Sequence, residues 1–411
     1  MSTPPRHAPI EGFAVVDDQL LVGGMTLERL AARVGQTPFY AYERRLLDAR
    51  VAAVRAILPP GVKLHYAIKA NPMPALVCHM ARIVDGLDVA SGRELRVALD
   101  AGGDPAEISF AGPGKGAIEL RQAIAAGILL NVESMGELES IARIAAELRI
   151  DARVALRVNP DFELKSSGMK MGGGPKQFGI DADQVPAALA AIGKRSGLLF
   201  EGFHIFSGSQ NLRADAICEA QTKALALAID LAAKAPAPTH VVNLGGGFGI
   251  PYFPGESRLD LAPIGENLRT VAARARDALP NARLVIELGR YLVGEAGVYV
   301  CRIADRKISR GRVFLVTDGG LHHHLAASGN FGQVLRKNYP VIVGNRVARG
   351  KREVASIVGP LCTPLDLLAD CMEIGEAYPG DLVAVLQSGA YGFTASPLDF
   401  LSHPHPVEVL V

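Results

Sequence analysis

Eight short apolar runs alternate with alanine- and leucine-rich segments between residues 63 and 288. The runs have the length and apolar character of buried strands, and the apolar positions of the intervening segments recur at helical spacing. We predict strands at residues 63–70, 86–91, 107–111, 129–133, 153–159, 200–206, 240–244 and 283–288. We predict helices at residues 76–83, 93–101, 117–126, 135–148, 185–192, 217–233 and 264–278. This alternation predicts a parallel sheet covered by helices.

Two arrangements accommodate eight such units: a closed (β/α)8 barrel and an open, doubly wound sheet. The polar residues favour the barrel, because they fall at or just beyond the C-terminal ends of the predicted strands. A barrel gathers all these ends on one face, where its active sites lie, whereas an open sheet spreads them along an edge. We therefore predict an α/β fold with a TIM barrel, whose functional face carries Lys69, Asp88, Ser91, Glu133, Asn159, His204, Gly245, Gly246, Gly247 and Glu287.

Beyond residue 297 the sequence changes to short strand-like runs that are punctuated by Gly and Pro, which is typical of a mostly β domain. Two further strand-like runs near the N-terminus, at residues 13–16 and 20–22, have no partner in the barrel. We predict that these N-terminal strands complete the C-terminal β domain. The predicted domains are residues 1–37 (N-terminal strands), 38–297 (barrel) and 298–411 (β domain).

The composition argues against several classes of protein. A chain of 411 residues is too long for one ordinary core, and its 43 Lys and Arg against 42 Asp and Glu give no net field for nucleic acid or anionic membrane. The five cysteines are scattered, and none has a partner at metal-ligand spacing. The sequence shows no apolar signal region and no apolar run long enough to cross a bilayer. We expect a cytoplasmic protein.

Lys69 ends the first predicted strand, just before Asn71-Pro72. An ammonium group at the end of an apolar strand is costly unless it is paired, exposed or used covalently. Burial lowers the pKa of a lysine and yields the neutral amine that Schiff-base chemistry requires. From the residues alone, an ordinary lysine whose head reaches solvent is the alternative.

Gly245-Gly-Gly-Phe-Gly-Ile-Pro251 follows the seventh predicted strand directly. Adjacent glycines let backbone N–H groups approach an anion without obstruction by a Cβ atom, which suits a phosphate. The spacing is neither that of the dinucleotide fingerprint nor that of the P-loop. A tight turn is the alternative, but the loops after the seventh and eighth strands are the recurrent phosphate site of barrels.

The sixth and eighth strands end in further polar groups. Glu287 lies on an apolar strand and needs a partner if it is buried. Arg290 follows three residues later and is suited to a bidentate phosphate contact, or else simply pairs with Glu287. His204 and Phe206 share one face of the sixth strand, and a single histidine of this kind is more often a core residue than a catalyst.

Taken together, the motifs resemble one family. The matching segments are Tyr66-Ala-Ile-Lys-Ala-Asn, Asp88-Val-Ala-Ser-Gly-Arg-Glu-Leu, Asn131-Val-Glu-Ser, Ala155-Leu-Arg-Val-Asn-Pro, Gln177-Phe-Gly-Ile, the glycine segment at Gly245, Glu287-Leu-Gly-Arg, Cys362 and Gly389-Ala-Tyr-Gly. In this order, along nearly the whole chain, they are similar to the pyridoxal-phosphate-dependent group III decarboxylases of the diaminopimelate/ornithine type. The resemblance implies the alanine-racemase-like barrel fold and an amino-acid decarboxylase.

The resemblance also implies roles for the matching residues. Lys69 would bind pyridoxal 5'-phosphate covalently, and Glu287 would keep the pyridine nitrogen protonated, which makes the ring an electron sink. Cys362, from the neighbouring subunit of a homodimer with shared active sites, would protonate the carbanion left by carbon dioxide. The residues implied to bind the cofactor are Lys69, Asp88, His204, Phe206, Ser209, Gly246, Gly247, Glu287, Gly289, Arg290 and Tyr391. Those assigned to the substrate are Arg290, His323, Asn330, Thr363, Asp366 and Tyr391.

Two departures from the family's pattern concern the substrate. Diaminopimelate enzymes carry a glutamate after the cysteine for the distal amine, and ornithine-type enzymes an aspartate, whereas Thr363 follows Cys362 here. Ala326 stands where diaminopimelate enzymes have an arginine for the distal carboxylate. Loss of one charge-assisted hydrogen bond costs on the order of 1.5–3 kcal/mol. We therefore expect an L-α-amino acid with an uncharged, extended or carrier-linked side chain.

Three other departures concern the pocket. Phe206 stands where many relatives have a cofactor-stacking histidine, and His204 lies one strand period earlier, so either residue is a candidate for contact with the ring. The three consecutive histidines from His322 would point to alternating faces of a strand, so we predict no metal site and assign one or two of them to the pocket. The glycine-rich segment 165–177 is predicted to be a lid over a larger substrate.

This constellation most resembles the subgroup of decarboxylases found with bacterial exosortase and exopolysaccharide systems, and a related set acts on glutamyl groups tethered to acyl carrier proteins. A true diaminopimelate decarboxylase is the alternative within the class. An amino-acid racemase would need a second base opposite Lys69 and an arginine in place of Glu287. A catalytically silent cofactor-binding homologue is the remaining alternative, and the joint presence of Lys69, Glu287, Cys362 and Tyr391 argues against it.

Overall fold

A computed structural model of the chain describes residues 6–162, 169–170, 172–333 and 336–411. The chain divides into two compact units. The barrel unit comprises Val51–Gly249 and Leu259–Gly289, and the β unit comprises the N-terminal part up to Arg50, Ile250–Arg258 and Arg290–Val411. The β unit therefore takes up three separate stretches of the chain, whereas the predicted boundaries gave it two.

Eight parallel strands form the barrel in sequence order. They are β1 (Val62–Ala67), β2 (Gly86–Val89), β3 (Ile108–Phe110), β4 (Leu129–Val132), β5 (Ala152–Asn159), β6 (Leu198–His204), β7 (Val241–Gly246) and β8 (Arg283–Leu288). The ring is closed because β8 pairs with β1 and β4 pairs with β5. A short strand, Ile180–Asp181, adds to the outer side of β5. The predicted (β/α)8 barrel is confirmed.

Helices connect successive strands of the barrel. They span Pro74–Met80, Gly92–Asp100, Ala117–Ala126, Met135–Leu148, Val185–Gly193, Ala214–Ala232 and Ala262–Ala278. Ser91, predicted on the functional face, instead caps the second of these helices, because its hydroxyl accepts a hydrogen bond from the Glu94 N–H at 3.2 Å. In the part of the chain that the structure describes, no helix is long and apolar enough to span a membrane.

The first strand ends earlier than the sequence predicts. β1 stops at Ala67, and Lys69 lies in the 3-10 turn Ile68–Ala70. The turn is closed by the Asn71 N–H, which donates to the Ile68 carbonyl at 2.9 Å, and by the Tyr66 hydroxyl, which donates to the Asn71 carbonyl at 2.8 Å. Lys69 is thus presented by a turn that is anchored to the strand before it.

A second sheet forms the β unit. Its strands are Phe39–Tyr42, Gly297–Ser309, Arg312–Thr317, Val341–Val343, Arg352–Val358, Leu367–Gly375, Leu382–Val385 and Val407–Leu410. The strands Phe39–Tyr42, Leu367–Gly375 and Val407–Leu410 have no counterpart in the sequence prediction. Leu367–Gly375 carries the charged residues Asp370 and Glu373 and has a register shift against its neighbour, and both interrupt the alternation that marks a strand.

The N-terminal strands join the β unit in a different way from the one we predict. Val15–Val16, Gln19–Val22 and Met25–Thr26 form their own three-stranded antiparallel sheet. Their apolar side chains, such as that of Leu20, belong to one core cluster with Val298 and Leu382 of the large sheet. The strand that pairs with the large sheet is Phe39–Tyr42, which our prediction counted within the barrel domain. Side-chain packing and single backbone hydrogen bonds, such as that from the Leu20 N–H to the Gly344 carbonyl at 2.8 Å, therefore attach the first strands, rather than a strand ladder.

Candidate active site

Glu287 is buried on β8 and is the charge around which the barrel site is arranged. Its Oε2 accepts hydrogen bonds from His204 Nε2 at 2.9 Å and from Asn243 Nδ2 at 3.3 Å, and its Oε1 lies 4.0 Å from Lys69 Nζ. Burial alone would raise the pKa of the Glu287 carboxyl, but the His204 hydrogen bond and the charges of His204 and Lys69 outweigh burial and lower the pKa. Glu287 is therefore an ionised carboxylate at neutral pH.

Lys69 is reached by solvent, because its side chain is 41% exposed. The alternative that Lys69 is an ordinary solvent-directed lysine does not account for its surroundings. Its Nζ faces the Glu287 carboxylate on one side and lies 5.6 Å from the centre of the Phe206 ring on another. An amine between an ionised carboxylate and an aromatic face is held in place while it stays open to a ligand.

His204 and Phe206 take different positions although they share one face of the same segment. The His204 ring is buried beside Glu287, and the Phe206 ring lies 6.4 Å from it with the two planes inclined by 20°. Phe206 is the aromatic group on the side of Lys69. Of the two candidates, Phe206 thus lies where a planar ligand attached to Lys69 would meet a ring, and His204 acts on Glu287.

The glycine segment lies directly beside Glu287. The register of β7 and β8 pairs Gly246 with Glu287, and a Cβ atom on Gly246 would lie 2.0 Å from the Glu287 carbonyl oxygen. Gly247 follows with φ +75°, in the left-handed region that favours glycine. Ser209 lies in the short strand Gly208–Ser209. The chain thus places the backbone of two glycines, without side chains, next to residue Glu287.

Gly289 packs under the turn that carries Lys69, since a Cβ atom there would lie 3.0 Å from the Ala70 Cβ. It leaves room for a neighbouring methyl group as well as for backbone, since the Ala67 carbonyl oxygen would lie 3.2 Å from the same Cβ atom. Both glycines belong to the cofactor set that the resemblance implies.

Asp88 lies on β2 and belongs to a buried polar network inside the barrel. Its Oδ1 accepts hydrogen bonds from His65 Nδ1 at 3.1 Å and from the Ser109 hydroxyl at 2.7 Å, while Oδ2 is buried without a hydrogen-bond partner among the described residues. Burial alone would lower the pKa of His65, but the charges of Asp88 and Glu107 raise it to about 9. The network therefore holds an imidazolium between two carboxylates.

Glu133 and Asn159, both predicted on the functional face, hold the chain rather than an open pocket. Glu133 forms a buried ion pair with Arg157 at 2.7 Å and accepts a hydrogen bond from the Gly179 N–H at 3.2 Å. Asn159 donates to the Gly174 carbonyl at 2.9 Å and accepts from the Gly173 N–H at 3.2 Å. Asn159 thus fastens the described end of the glycine-rich segment, and Glu133 holds Gly179 just beyond it; residues 165–168 and 171 of the predicted lid lie outside the described residues.

In the β unit, Arg290 and Tyr391 lie together. The Arg290 guanidinium is 4.6 Å from the centre of the Tyr391 ring, and its Nη1 donates to the Tyr252 hydroxyl at 3.0 Å. Arg290 Nε is buried and has no hydrogen-bond partner among the described residues. Tyr391 adopts a left-handed backbone conformation with φ +53°. The β unit thus presents a guanidinium stacked on tyrosine rings, and its Nε–H can still donate a hydrogen bond.

The three histidines lie in turns and not on a strand, so our argument from alternating faces does not apply. The rings of His322 and His323 are 3.7 Å apart. His323, assigned to the substrate, makes two hydrogen bonds within its own unit, Nδ1 with the Tyr299 hydroxyl at 3.1 Å and Nε2 with the Pro404 carbonyl at 2.9 Å. His324 Nε2 pairs with the Ser388 hydroxyl at 2.9 Å. Among the described residues, no group of three or more metal-ligating side chains is arranged to hold an ion.

The remaining substrate candidates lie in or near the loop that follows strand Arg352–Val358. Cys362 is exposed, and Thr363 borders a cavity of about 440 Å³. Asp366 is buried, and both of its oxygens accept backbone hydrogen bonds, from the Leu321 N–H at 2.6 Å and the Leu361 N–H at 2.8 Å. The geometry therefore gives Asp366 a structural role, in contrast to the assignment to the substrate.

Asn330 is exposed, and its Nδ2 donates to the Ser328 hydroxyl at 2.8 Å, so the side chain is held against its own turn. Sequence reasoning did not single out Asn243, Arg157 or His65. The dipeptide Asn243-Leu before the glycines was the available signal for Asn243, since an amide at the end of a buried strand needs partners.

Comparisons with known proteins identify the family of this chain. A family model described as "Pyridoxal-dependent decarboxylase, pyridoxal binding domain" matches residues 44–294. The L-glutamyl-[BtrI acyl-carrier protein] decarboxylase of Niallia circulans is 40% identical over 384 residues, which cover 91% of this chain and 89% of the relative. The diaminopimelate decarboxylase of Aquifex aeolicus is 34% identical, covering 96% and 91%. The crystal structure of diaminopimelate decarboxylase from M. jannaschii in co-complex with L-lysine has a TM-score of 0.89 at 25% identity, covering 98% and 93%.

The matched family model covers the barrel strands and the turn of Lys69, and the relatives match the chain almost from end to end. The resemblance seen in the sequence is thereby confirmed. The chain belongs to the pyridoxal-dependent decarboxylase family and is a pyridoxal-phosphate-dependent amino-acid carboxy-lyase.

Proposed function

We propose that this decarboxylase removes the α-carboxylate of an L-amino acid whose side chain is uncharged or is linked to a carrier protein. One observation carries the proposal: Thr363, a neutral residue, stands next to Cys362 and borders a cavity of about 440 Å³. A substrate with a charged distal amine would lack the carboxylate that the family places there. The 40% identity to an enzyme named for a glutamyl group on an acyl carrier protein supports the same substrate class.

The residues of the barrel unit fit pyridoxal phosphate. The ionised Glu287 would hold the pyridine nitrogen, Lys69 the aldehyde carbon, and the glycines from Gly246 the phosphate, with Phe206 against the ring. Ser209, Asp88 and Gly289 of the barrel unit belong to the same proposed set. When bound, the cofactor supplies a sink for the electron pair that carbon dioxide leaves behind.

The chain's own groups would then bind and move protons. Glu287, whose pKa is lowered, would stabilise a proton on the pyridine nitrogen by a charge-assisted hydrogen bond. The Lys69 amine, open to solvent on one side, would exchange with the substrate amine. The Cys362 thiol, exposed on its loop, would deliver a proton to Cα after carbon dioxide departs.

We further propose a homodimer in which Cys362 acts in the neighbouring subunit's site, and a location in the cytoplasm. The exposed position of Cys362 supports the first point. The second is supported by the cysteines, which are all unpaired thiols: Cys78, Cys218, Cys301, Cys362 and Cys371.

The test compares carbon dioxide release from three substrates: an L-glutamyl acyl carrier protein conjugate, free L-glutamate and meso-diaminopimelate. We expect kcat/KM for the conjugate to exceed that for either free amino acid by at least about tenfold, the equivalent of 1.4 kcal/mol. Equal turnover of the conjugate and free L-glutamate would show that the carrier plays no part.

Diaminopimelate decarboxylation is the second candidate. The 34% identity to the Aquifex aeolicus enzyme over 96% of this chain favours it. Turnover of meso-diaminopimelate at ordinary catalytic efficiency would establish this candidate and would show that Thr363 and Ala326 do not exclude a charged distal head group.

A further inference from the structure

We infer that Asn243 is a positioning residue that couples the two ends of the cofactor cradle, the carboxylate of Glu287 and the glycine segment. Its Nδ2 donates to Glu287 Oε2 at 3.3 Å, and its Oδ1 accepts a hydrogen bond from the Gly245 N–H at 2.8 Å. Asn243 is 6% exposed, so neither bond has water as a ready substitute. One side-chain amide thus touches both groups.

The chemistry of the two partners fixes the orientation of the amide. The Gly245 N–H can only donate, so it must face the amide oxygen, and an ionised Glu287 can only accept, so it must face the amide nitrogen. Aspartate would offer acceptors to both partners, and leucine would offer neither function. Asparagine is the side chain of this length that satisfies both partners at once.

The backbone explains why a side chain is needed at this place. The ladder between β7 and β8 shifts register between Asn243 and Gly246, and Gly245 turns away with φ +69°. The Asn243 side chain therefore takes up the Gly245 N–H that the turn removes from a regular ladder. The glycine segment is held at its first residue by the same amide that touches Glu287.

His204 supplies the second donor to the same carboxylate oxygen. Because Glu287 Oε2 is an acceptor, His204 must carry a proton on Nε2. The other oxygen, Oε1, faces Lys69. Two donors on Oε2 fix the plane of the carboxylate before any ligand enters. The Asn243 bridge then ties that plane to the glycine turn.

The inference rests on the proposed roles of Glu287 and the glycine segment, and its test uses binding rather than turnover. Cofactor-free protein is loaded with pyridoxal phosphate or with pyridoxal, which lacks the phosphate. The affinities, and the absorbance of the bound cofactor between pH 5 and 9, are measured for the wild type, Asn243→Asp and Asn243→Leu. The ratio of the affinity for pyridoxal phosphate to the affinity for pyridoxal reports the contacts with the phosphate. The absorbance titration reports the contacts with the ring.

Asn243→Asp keeps an acceptor for Gly245 but replaces the donor to Glu287 by a negative charge. We expect both affinities to fall together by about 10- to 100-fold, with an unchanged ratio and a shifted absorbance titration. Asn243→Leu removes both bonds, so we expect the ratio to fall as well. His204→Gln retains an N–H donor to Glu287. Its absorbance titration should therefore stay closer to that of the wild type than the titration of His204→Leu does.

Asn267→Asp is the matched control, because it makes the same substitution on the helix Ala262–Ala278, where the Asn267 amide donates to Gln221 at 3.0 Å. It should leave the affinities and the titration unchanged. The coupling is overturned if Asn243→Asp and Asn243→Leu lower the ratio equally, or if folded Asn243→Leu binds and titrates like the wild type. A wild type that binds the cofactor normally but decarboxylates none of the substrates would overturn only the proposed function.

Discussion

The barrel unit and the β unit hold their polar groups in opposite ways. In the barrel unit, Glu287 and His204 project from regular strands, and the strand register itself places Gly246 beside Glu287. In the β unit, the candidates for substrate contact lie in turns and loops, where Asp366 and His323 are occupied by bonds within the unit. Glu287, His204 and Gly246, proposed for the cofactor, thus lie on a frame of strands, whereas Asp366 and His323, proposed for the substrate, lie in loops and turns.

The largest expected effect tests the chemical role of the barrel unit. Lys69→Ala removes the amine that faces Glu287, and we expect carbon dioxide release to fall by at least ~10²–10⁴-fold, the range for one proton-transferring group. The absorbance band of the bound cofactor should disappear, whereas the thermal midpoint should stay within a few degrees. Lys63→Ala, on the preceding strand, is the control and should retain the band. Persistence of the band in Lys69→Ala would assign the covalent bond to another residue.

In the β unit, the corresponding change should affect stability first. Asp366→Ala leaves the Leu321 and Leu361 N–H groups buried without an acceptor, at a cost of about 1–3 kcal/mol each. We expect the free energy of unfolding in urea to drop by about 2–5 kcal/mol. Asp399→Ala, at a fully exposed carboxylate, should change it by less than about 0.5 kcal/mol. Similar losses in the two variants would refute the structural role of Asp366.

The pH dependence of stability should also separate the units. His65 has its pKa raised to about 9 by two carboxylates, so its contribution is complete below pH 6.5 and is lost as pH rises through 9. The advantage of the wild type over His65→Gln in free energy of unfolding should shrink by roughly 3 kcal/mol between pH 6 and pH 10.

His324 of the β unit should behave in the opposite sense. Burial lowers its pKa to about 3, so its folded form resists protonation, and stability falls as pH drops below 6.5 towards 3. Urea titrations of His324→Gln should therefore differ from the wild type most at low pH. If both histidine variants deviated at the same end of the pH range, the contrast between an ionised and a neutral buried imidazole would be wrong.

The smallest expected effect concerns the substrate. Thr363→Glu combined with Ala326→Arg restores the two charges that diaminopimelate enzymes carry, and each charge-assisted bond contributes about 1.5–3 kcal/mol. We expect kcat/KM for meso-diaminopimelate to rise by about 10- to 100-fold, measured by carbon dioxide release. Thr363→Gln with Ala326→Arg, of equal size but without the carboxylate, should gain less. No gain in either variant would separate Thr363 from substrate selection.

The sequence was sufficient for the frame and for the groups on it. The apolar runs and the turn residues between them located every barrel strand to within a few residues. Parallel barrel strands are buried on both faces, so each one forms a continuous apolar run in the sequence. Lys69, Glu287 and His204 then followed from their places at strand ends, and the structure brings them together. The alternation along the sixth strand puts His204 and Phe206 on one face. It did not reveal that His204 contacts Glu287 whereas Phe206 lies beside Lys69.

The sequence was insufficient where tertiary bonds decide the role of a polar residue. Ser91 and Asp366 read as functional groups, yet one caps a helix and the other closes two backbone amides. The histidines from His322 were treated as strand residues, but they lie in turns, and the Asp366 carboxylate holds Leu321 just before them. The Asp366–Leu321 bond joins residues 45 positions apart and leaves no periodic signal, whereas Ser91-Gly-Arg-Glu94 has the spacing of an N-cap that a closer reading of the sequence would have found.

The Asp366 carboxylate has a consequence for anyone who wishes to redesign this enzyme. It fastens Leu321, which opens the histidine segment, to Leu361, which precedes Cys362, so the two loops form one interchangeable cassette. Transplanting the Cys362 loop from a relative without the histidine segment would disrupt the hydrogen bonds by which Asp366 joins the two loops. Libraries that seek new substrates should therefore recombine residues 320–330 and 359–366 together, with Asp366 held constant.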